Sequence, residues 1–112
     1  MTGINSVVLL GTLTDRGVTL RPTHTGTMQA SFSLDVLEET ATDSTFHLWV
    51  TIECYGQALP AAECLEAGDL VAIEGKLKST SWTDKQGQKQ RRLVVLARSV
   101  KRVLVPVRPG IC

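Results

Sequence analysis

Two long stretches of the chain alternate apolar and polar side chains with a period of two, and that period limits the fold more than any other feature. In MQASFSLDVL, Met28, Ala30, Phe32, Leu34 and Val36 interleave with Gln29, Ser31, Ser33 and Asp35. In FHLWVTIECYG, Phe46, Leu48, Val50, Ile52 and Cys54 interleave with His47, Trp49, Thr51, Glu53 and Tyr55. Successive side chains of a strand point to opposite faces, so each stretch has one covered and one uncovered face. A helix, with 3.6 residues per turn, would scatter both sets around its axis.

The rest of the chain fits the same scheme. Val7 to Leu13 reads as a short apolar strand in which Gly11 marks a close backbone approach or a bulge. RPTHTGT, residues 21–27, is turn chemistry, and EETATDST is a polar connection. Gln57 to Ala67 carries Pro60 near its start and is followed by Gly68, which suits a helix of two to three turns. LVAIEGKLKSTSW returns to alternation, with Val71, Ile73 and Leu77 inward around Gly75 and Glu74, Lys76, Lys78, Thr80 and Trp82 outward. TDKQGQ is a hairpin tip, and RRLVVLARSV should be buried on both faces at its middle, with Lys101 to Val105 extending it.

Three strands, a helix and two more strands match the five-stranded Greek-key barrel of the oligonucleotide/oligosaccharide-binding (OB) fold. The expected protein is all-β, with one short helix between the third and fourth strands and a long hairpin joining the fourth and fifth. At 112 residues there is room for one domain, assigned to residues 1–105, with 106–112 as a short C-terminal tail.

The net charge of +1 conceals an asymmetry. Only Arg16 and Arg21 of the Lys and Arg residues precede Lys76, and only Asp84 of the acids follows it. A basic final third on an otherwise acidic chain points to a polyanion-binding face. Other chemistries find no support. Cys54, Cys64 and Cys112 are odd in number and lack C-x-x-C spacing, so they read as incidental thiols rather than as a disulfide framework or zinc site. His24 and His47 are far apart without a carboxylate at ligand spacing, and no phosphate-binding glycine motif or nucleophile elbow occurs. The expectation is a non-catalytic protein with no metal and no cofactor. No apolar run approaches the roughly 18 residues of a membrane span, and the start MTGINSVVLLG lacks a basic region ahead of its apolar stretch. A cytoplasmic protein with no membrane partner is expected.

The uncovered face carries the functional signal. Trp82 shares its strand face with Lys76 and Lys78, beside a tip bearing Lys85, Lys89, Arg91 and Arg92. Trp49 and Tyr55 emerge from the polar side of the preceding strand. Flat rings separated by cations are what unpaired nucleic acid needs, a π-face for each base and a positive charge for each phosphate. An RNA or oligosaccharide binder on the same barrel is the alternative, but a sugar site would leave the clustered cations unexplained.

At these residues the sequence resembles the bacterial single-stranded-DNA-binding protein family. The resemblance spans about residues 4–104. It rests on NSVVLLGTLT, TGTMQASFSLDV, WVTIECYG, AGDLVAIEGKLKSTSW and DKQGQ. It implies sequence-tolerant binding of single-stranded DNA in replication, recombination and repair, with Trp49, Tyr55 and Trp82 stacking bases. Arg21, Lys76, Lys78, Lys85, Lys89, Arg91 and Arg92 are then the candidates for phosphate contacts. It also implies a homo-oligomer, a tetramer in preference to a dimer, with Val7, Val8, Leu9 and Leu10 at the interface, acting in the cytoplasm on nucleoid DNA or in an organelle. Three departures stand out. LEETATDST carries no ring where many members place a further Trp, Thr12 replaces a common basic residue, and VPVRPGIC lacks the acidic tip that recruits replication and repair proteins. These departures fit either a trimmed sequence or a short paralogue of plasmid, phage or organellar type. They leave a replication-restart adaptor of the primosomal type, binding partner proteins and holding DNA weakly, as the second reading.

Overall fold

The computed structural model describes residues 2–39 and 44–103. In chain order these form β1 (Val7–Leu13), β2 (Thr19–Pro22), β3 (Met28–Glu39), β4 (Thr45–Cys54), a 3-10 turn (Gly56–Ala58), α1 (Leu59–Glu63), β5 (Leu70–Thr83) and β6 (Lys89–Arg102). The strands hydrogen-bond in the order β1-β5-β6-β4-β3-β2. A further pairing of Thr12 with Asp35 and Leu13 with Leu34 joins β1 to β3 and closes the ring. Neighbours run antiparallel except β4 and β6, which pair in parallel through Ile52 with Val95, Glu53 with Leu96 and Cys54 with Ala97. Five long strands therefore make a closed barrel of the OB type, with the single short helix between β4 and β5. β2 is an addition that the sequence reading assigned partly to a turn; it pairs with the first residues of β3 outside the ring.

The core follows the alternation. Leu13, Ala30, Phe32, Leu34, Ile52, Val71, Ile73, Val95 and Val100 are buried inside the ring. Ala58, Ala62 and Leu65 of the helical segment join that cluster. Val94 and Val95 are buried, but the expected burial of the strand's middle on both faces holds only there, since Leu93 is exposed and Leu96 half-buried. Gly11 and Gly75 are needed for closure. A Cβ on Gly11 would lie 2.7 Å from the Asp35 carbonyl oxygen, and one on Gly75 would run into the Leu96 carbonyl oxygen. The β5–β6 register slips between Glu74 and Gly75, a β-bulge that sharpens the bend there.

Several inward assignments fail for one reason. β3 and β4 continue past the point where β1 closes the ring, so nothing lies opposite their inner face there; Phe46 is 58% exposed, Leu48 is also exposed, and Val36 is only half-buried. β5 likewise outruns β1, and Leu77 is exposed. The Asn5 side chain partly replaces the missing strand, donating to the Leu77 carbonyl at 2.9 Å and accepting from its amide at 2.8 Å. At the start of β3 the expected sides do not hold, since Met28 is exposed and Gln29 buried.

The helix is shorter than expected. Cys64 and Leu65 donate to the carbonyls three residues back, Ala61 and Ala62, which tightens the last turn. The chain is then pinned to β1, with Gly68 donating to Leu13 and Leu13 to Asp69. Cys54 is a buried free thiol, but Cys64 is disulfide-bonded, against the reading of all three cysteines as incidental thiols. The assigned tail 106–112 and the tip of the β3–β4 connection lie outside the described residues.

Candidate nucleic-acid interface

The outer face of the sheet that bears the aromatics is built from β3, β4, β6 and β5, in that order. Residues directly opposite on paired strands share a face, so the register places each expected residue. Asp35 lies opposite Trp49, Ser33 opposite Thr51 and Ser31 opposite Glu53. On the hairpin, Leu96 lies opposite Lys76, Val94 opposite Lys78, Arg92 opposite Thr80 and Gln90 opposite Trp82. Trp49, Tyr55, Lys76, Lys78, Trp82 and Arg92 are thus brought to one surface. Lys89 and Arg91 are not, because they pair with Thr83 and Ser81 and face the other side of the ribbon. Lys85 sits at the hairpin tip. Arg21 is exposed on β2 opposite Gln29, with β3 and β4 between it and the hairpin.

Each ring is backed on one side. Trp49 is 66% exposed, and its indole stacks on the His47 imidazole with centroids 5.5 Å apart and planes 10° from parallel. His47 Nδ1 lies 2.9 and 3.0 Å from the two Asp35 carboxylate oxygens. An ionised carboxylate only accepts, so Nδ1 carries the hydrogen and the imidazole is held against the indole. Trp82 is 46% exposed, with the Arg92 guanidinium 5.6 Å from its ring centre, within cation–π range. Tyr55 is half-buried at the end of β4. The Lys78 ammonium donates to its hydroxyl at 3.4 Å and to Glu53 Oε1 at 3.5 Å.

Lys78 lies 5.5 Å from the Tyr55 ring centre. An ammonium at both these distances sits off the hydroxyl end of the ring rather than above a face, so it leaves the π-faces open. Partial burial by itself lowers the Lys78 pKa, but the Tyr55 hydroxyl and the Glu53 carboxylate outweigh it and hold the group above its ordinary value. The ammonium is therefore charged at neutral pH. Glu53 is a buried acid in the middle of this face, and its partner is a cation that the sequence reading had assigned to phosphate.

One residue of this surface was missed. A turn closed by the Gly17 amide donating to the Thr14 carbonyl, with Gly17 at φ +68°, carries Asp15 and Arg16 over the sheet. Arg16 borders two adjacent clefts, one of about 190 Å³ that reaches Thr51 and Arg92 and one of about 450 Å³ that reaches Trp49. An isolated Arg in a loop has no periodic signal that reports which way it points.

The hairpin that carries Trp82 is tightly closed. Asp84 accepts from the Gln86 and Gln88 amides, each at 2.9 Å, and from the Gln90 side chain at 3.1 Å. The Gln88 amide, then the Gln90 side chain and the Gln86 amide, hold its carboxyl below the usual carboxylate range against an opposing effect of desolvation. Among the described residues no group of three His, Cys, Asp or Glu side chains is placed to hold a metal, and no helix is long and apolar enough to cross a membrane. Burial, with a smaller push from Glu53, raises the Cys54 thiol to about 11, so it is protonated and unreactive.

Residues 4–103 match the single-strand binding protein family. The chain belongs to that family. It is similar to the single-stranded DNA-binding protein of Wolinella succinogenes, with 30% identity over 102 residues, which cover 87% of this chain and 62% of that protein. The chain thus spans less than two-thirds of the relative's length. The family match covers every strand and the turn that carries Arg16.

Proposed function

We propose that this domain is a non-catalytic, largely sequence-independent binder of single-stranded DNA that serves replication, recombination and repair. The observation that carries the reading is the pair of uncovered indoles, Trp49 and Trp82, each backed by one partner and open on the other side, on a face that also holds Arg16, Arg92 and Lys76. Bases stack on the open ring faces and on Tyr55. Phosphates take the cations of the same surface, with Lys85 at the tip, Lys89 and Arg91 on the back of the ribbon, and Arg21 on β2 engaging strand that wraps further. Lys78 is the exception, because Glu53 and Tyr55 already occupy it. Of the carboxylates on the face, Asp35 and Glu53 are each engaged by a neighbour, which reduces their repulsion toward DNA, while Asp15 lies in the β1–β2 turn next to Arg16.

A second copy of the chain is the natural partner for β1. Val8 and Leu10 point outward and are 76% and 54% exposed. The pairings of Val7 to Gly11 run only to β5 among the described residues. A homo-oligomer formed there, a tetramer in preference to a dimer, would present several stacking faces to one strand.

Titration with oligo(dT) while following Trp emission tests the reading. Quenching at low salt is expected, with affinity falling as salt rises at a slope of about −0.7 per phosphate neutralised. Trp82→Ala should weaken binding by about 1–3 kcal/mol and leave thermal stability near wild type, because the ring is outside the core. Absence of any quenching at low salt rejects the proposal.

A further inference from the structure

We propose that Arg16 and Arg92 form a two-guanidinium cleft that seats a phosphodiester of the bound strand next to the base stacked on Trp49. This deepens the single-stranded DNA reading and rests on it for the identity of the ligand. The cleft itself is an observation. It holds about 190 Å³, Arg16 and Arg92 form two of its walls, and Thr19, Ser31, Ser33 and Thr51 line the rest together with Gly17 and Phe32, so that the lining is more polar than apolar. None of the residues lining it is an acid.

The chemistry of that lining selects a phosphate over a base. A base needs a flat apolar partner, and the only ring here belongs to Phe32, which is buried in the core. A phosphodiester presents unprotonated oxygens to donors. Arginine forks meet such oxygens two at a time, and hydroxyls can turn their hydrogens toward them. Both arginines are exposed, and neither makes a salt bridge within the described residues. Their charges are therefore not already spent, in contrast to Lys78.

The cleft also has a direction. Arg92 forms one wall of it and at the same time lies over the Trp82 ring. Arg16 forms another wall and borders the neighbouring cleft that Trp49 lines. The lining runs from Arg92 on β6 across β4 and β3 to Thr19 on β2, so the cleft lies beside Trp49 on β4, and a strand with a base on that indole carries its backbone past the two cations. Arg16 enters from the β1–β2 turn and Arg92 from β6, with β4 and β3 between them, so the two guanidiniums close on the backbone from opposite sides.

Arg16→Gln is the variant to measure, because Arg16 sits in an exposed turn whose closing bond is made by backbone atoms. The salt dependence of oligo(dT) binding should flatten by about 0.7 in slope, so the wild-type advantage shrinks roughly five-fold for each tenfold rise in salt. Arg16→Lys should keep most of the slope, and Lys101→Gln, on an exposed part of β6 away from the cleft, should leave affinity and slope unchanged. An Arg16→Gln slope equal to wild type overturns the proposal. A second arm works without DNA. Dimethyl phosphate added to the wild type should shift the side-chain Nε–H resonances of both Arg16 and Arg92, and the Arg92 shift should weaken in Arg16→Gln. No shift in the wild type overturns the cleft. A shift without any oligo(dT) binding upholds the anion site and rejects only the DNA reading.

Discussion

At the residue scale, several side chains of the face are already held by neighbours, His47 by Asp35 and Lys78 by Glu53 among them. Lys78 illustrates this. It is tied to a buried carboxylate and to the Tyr55 hydroxyl at once, so its charge is committed before any ligand arrives, and it acts as a positioning residue for the ring. Lys78→Gln should therefore lower oligo(dT) affinity several-fold with the salt slope unchanged, whereas a lost phosphate contact would flatten the slope by about 0.7. Because the change strands the Glu53 carboxylate, Lys78→Gln with Glu53→Gln serves as the companion variant and should behave the same way. Tyr55 is the chain's sole tyrosine, so its ring resonances in the free protein give an independent reading and should shift in both variants. A flattened slope would return Lys78 to the phosphate contacts. The three aromatics were legible from the sequence because alternation assigns a side chain to a face. The partners were not, since Lys78 meets Glu53 across an intervening strand, 25 positions away. Arg16 lies in a turn, where no period reports direction.

At the element scale, the long strands and the order of elements were legible, because two-residue alternation and the glycine and proline breaks are local properties. What covers a face is not local. Phe46, Leu48 and Leu77 alternate as core residues do, yet β3–β4 and β5–β6 run on past the end of β1 and leave them exposed. The β5–β6 hairpin is the element on which Trp82 depends, and its closure is electrostatic as well as geometric. Three donors converge on Asp84, and the folded carboxyl has a lowered pKa. A lowered pKa means that the stabilisation is complete above the unfolded carboxylate value near 4 and is lost as pH falls through the folded one. Amide exchange at Gln86 and Gln88 should therefore be protected at neutral pH and should lose protection, beyond the intrinsic pH dependence of exchange, in acid. Asp84→Asn should show reduced protection at neutral pH and no acid transition. An acid transition that persists in Asp84→Asn would place the titrating group elsewhere.

At the scale of the whole molecule, the barrel separates its surfaces by chemistry. The aromatic and cationic face lies over β4, β6 and β5, while β1 turns a row of apolar side chains outward at Val8 and Leu10, opposite Glu74 and Ala72. An open strand edge flanked by exposed aliphatics invites another chain, and covering a Val or Leu contributes about 1.5–3 kcal/mol. Val7 and Leu9 are half-buried against the core and would confound any test by unfolding. Val8→Glu with Leu10→Glu is the informative pair, because neither side chain belongs to the core and two carboxylates cannot be buried unpaired at a symmetric contact. Light scattering should give an oligomer for the wild type and a lower mass for the double variant, at unchanged secondary structure. The consequence for binding follows from tethering, since a strand held by one face meets the next at high effective concentration. Loss of assembly should therefore weaken binding of a long oligo(dT) far more than that of one short enough for a single face. A wild type that scatters as a monomer, or a double variant that keeps its mass, would show that β1 is not the contact. Equal losses for short and long oligonucleotides would show that the faces bind independently.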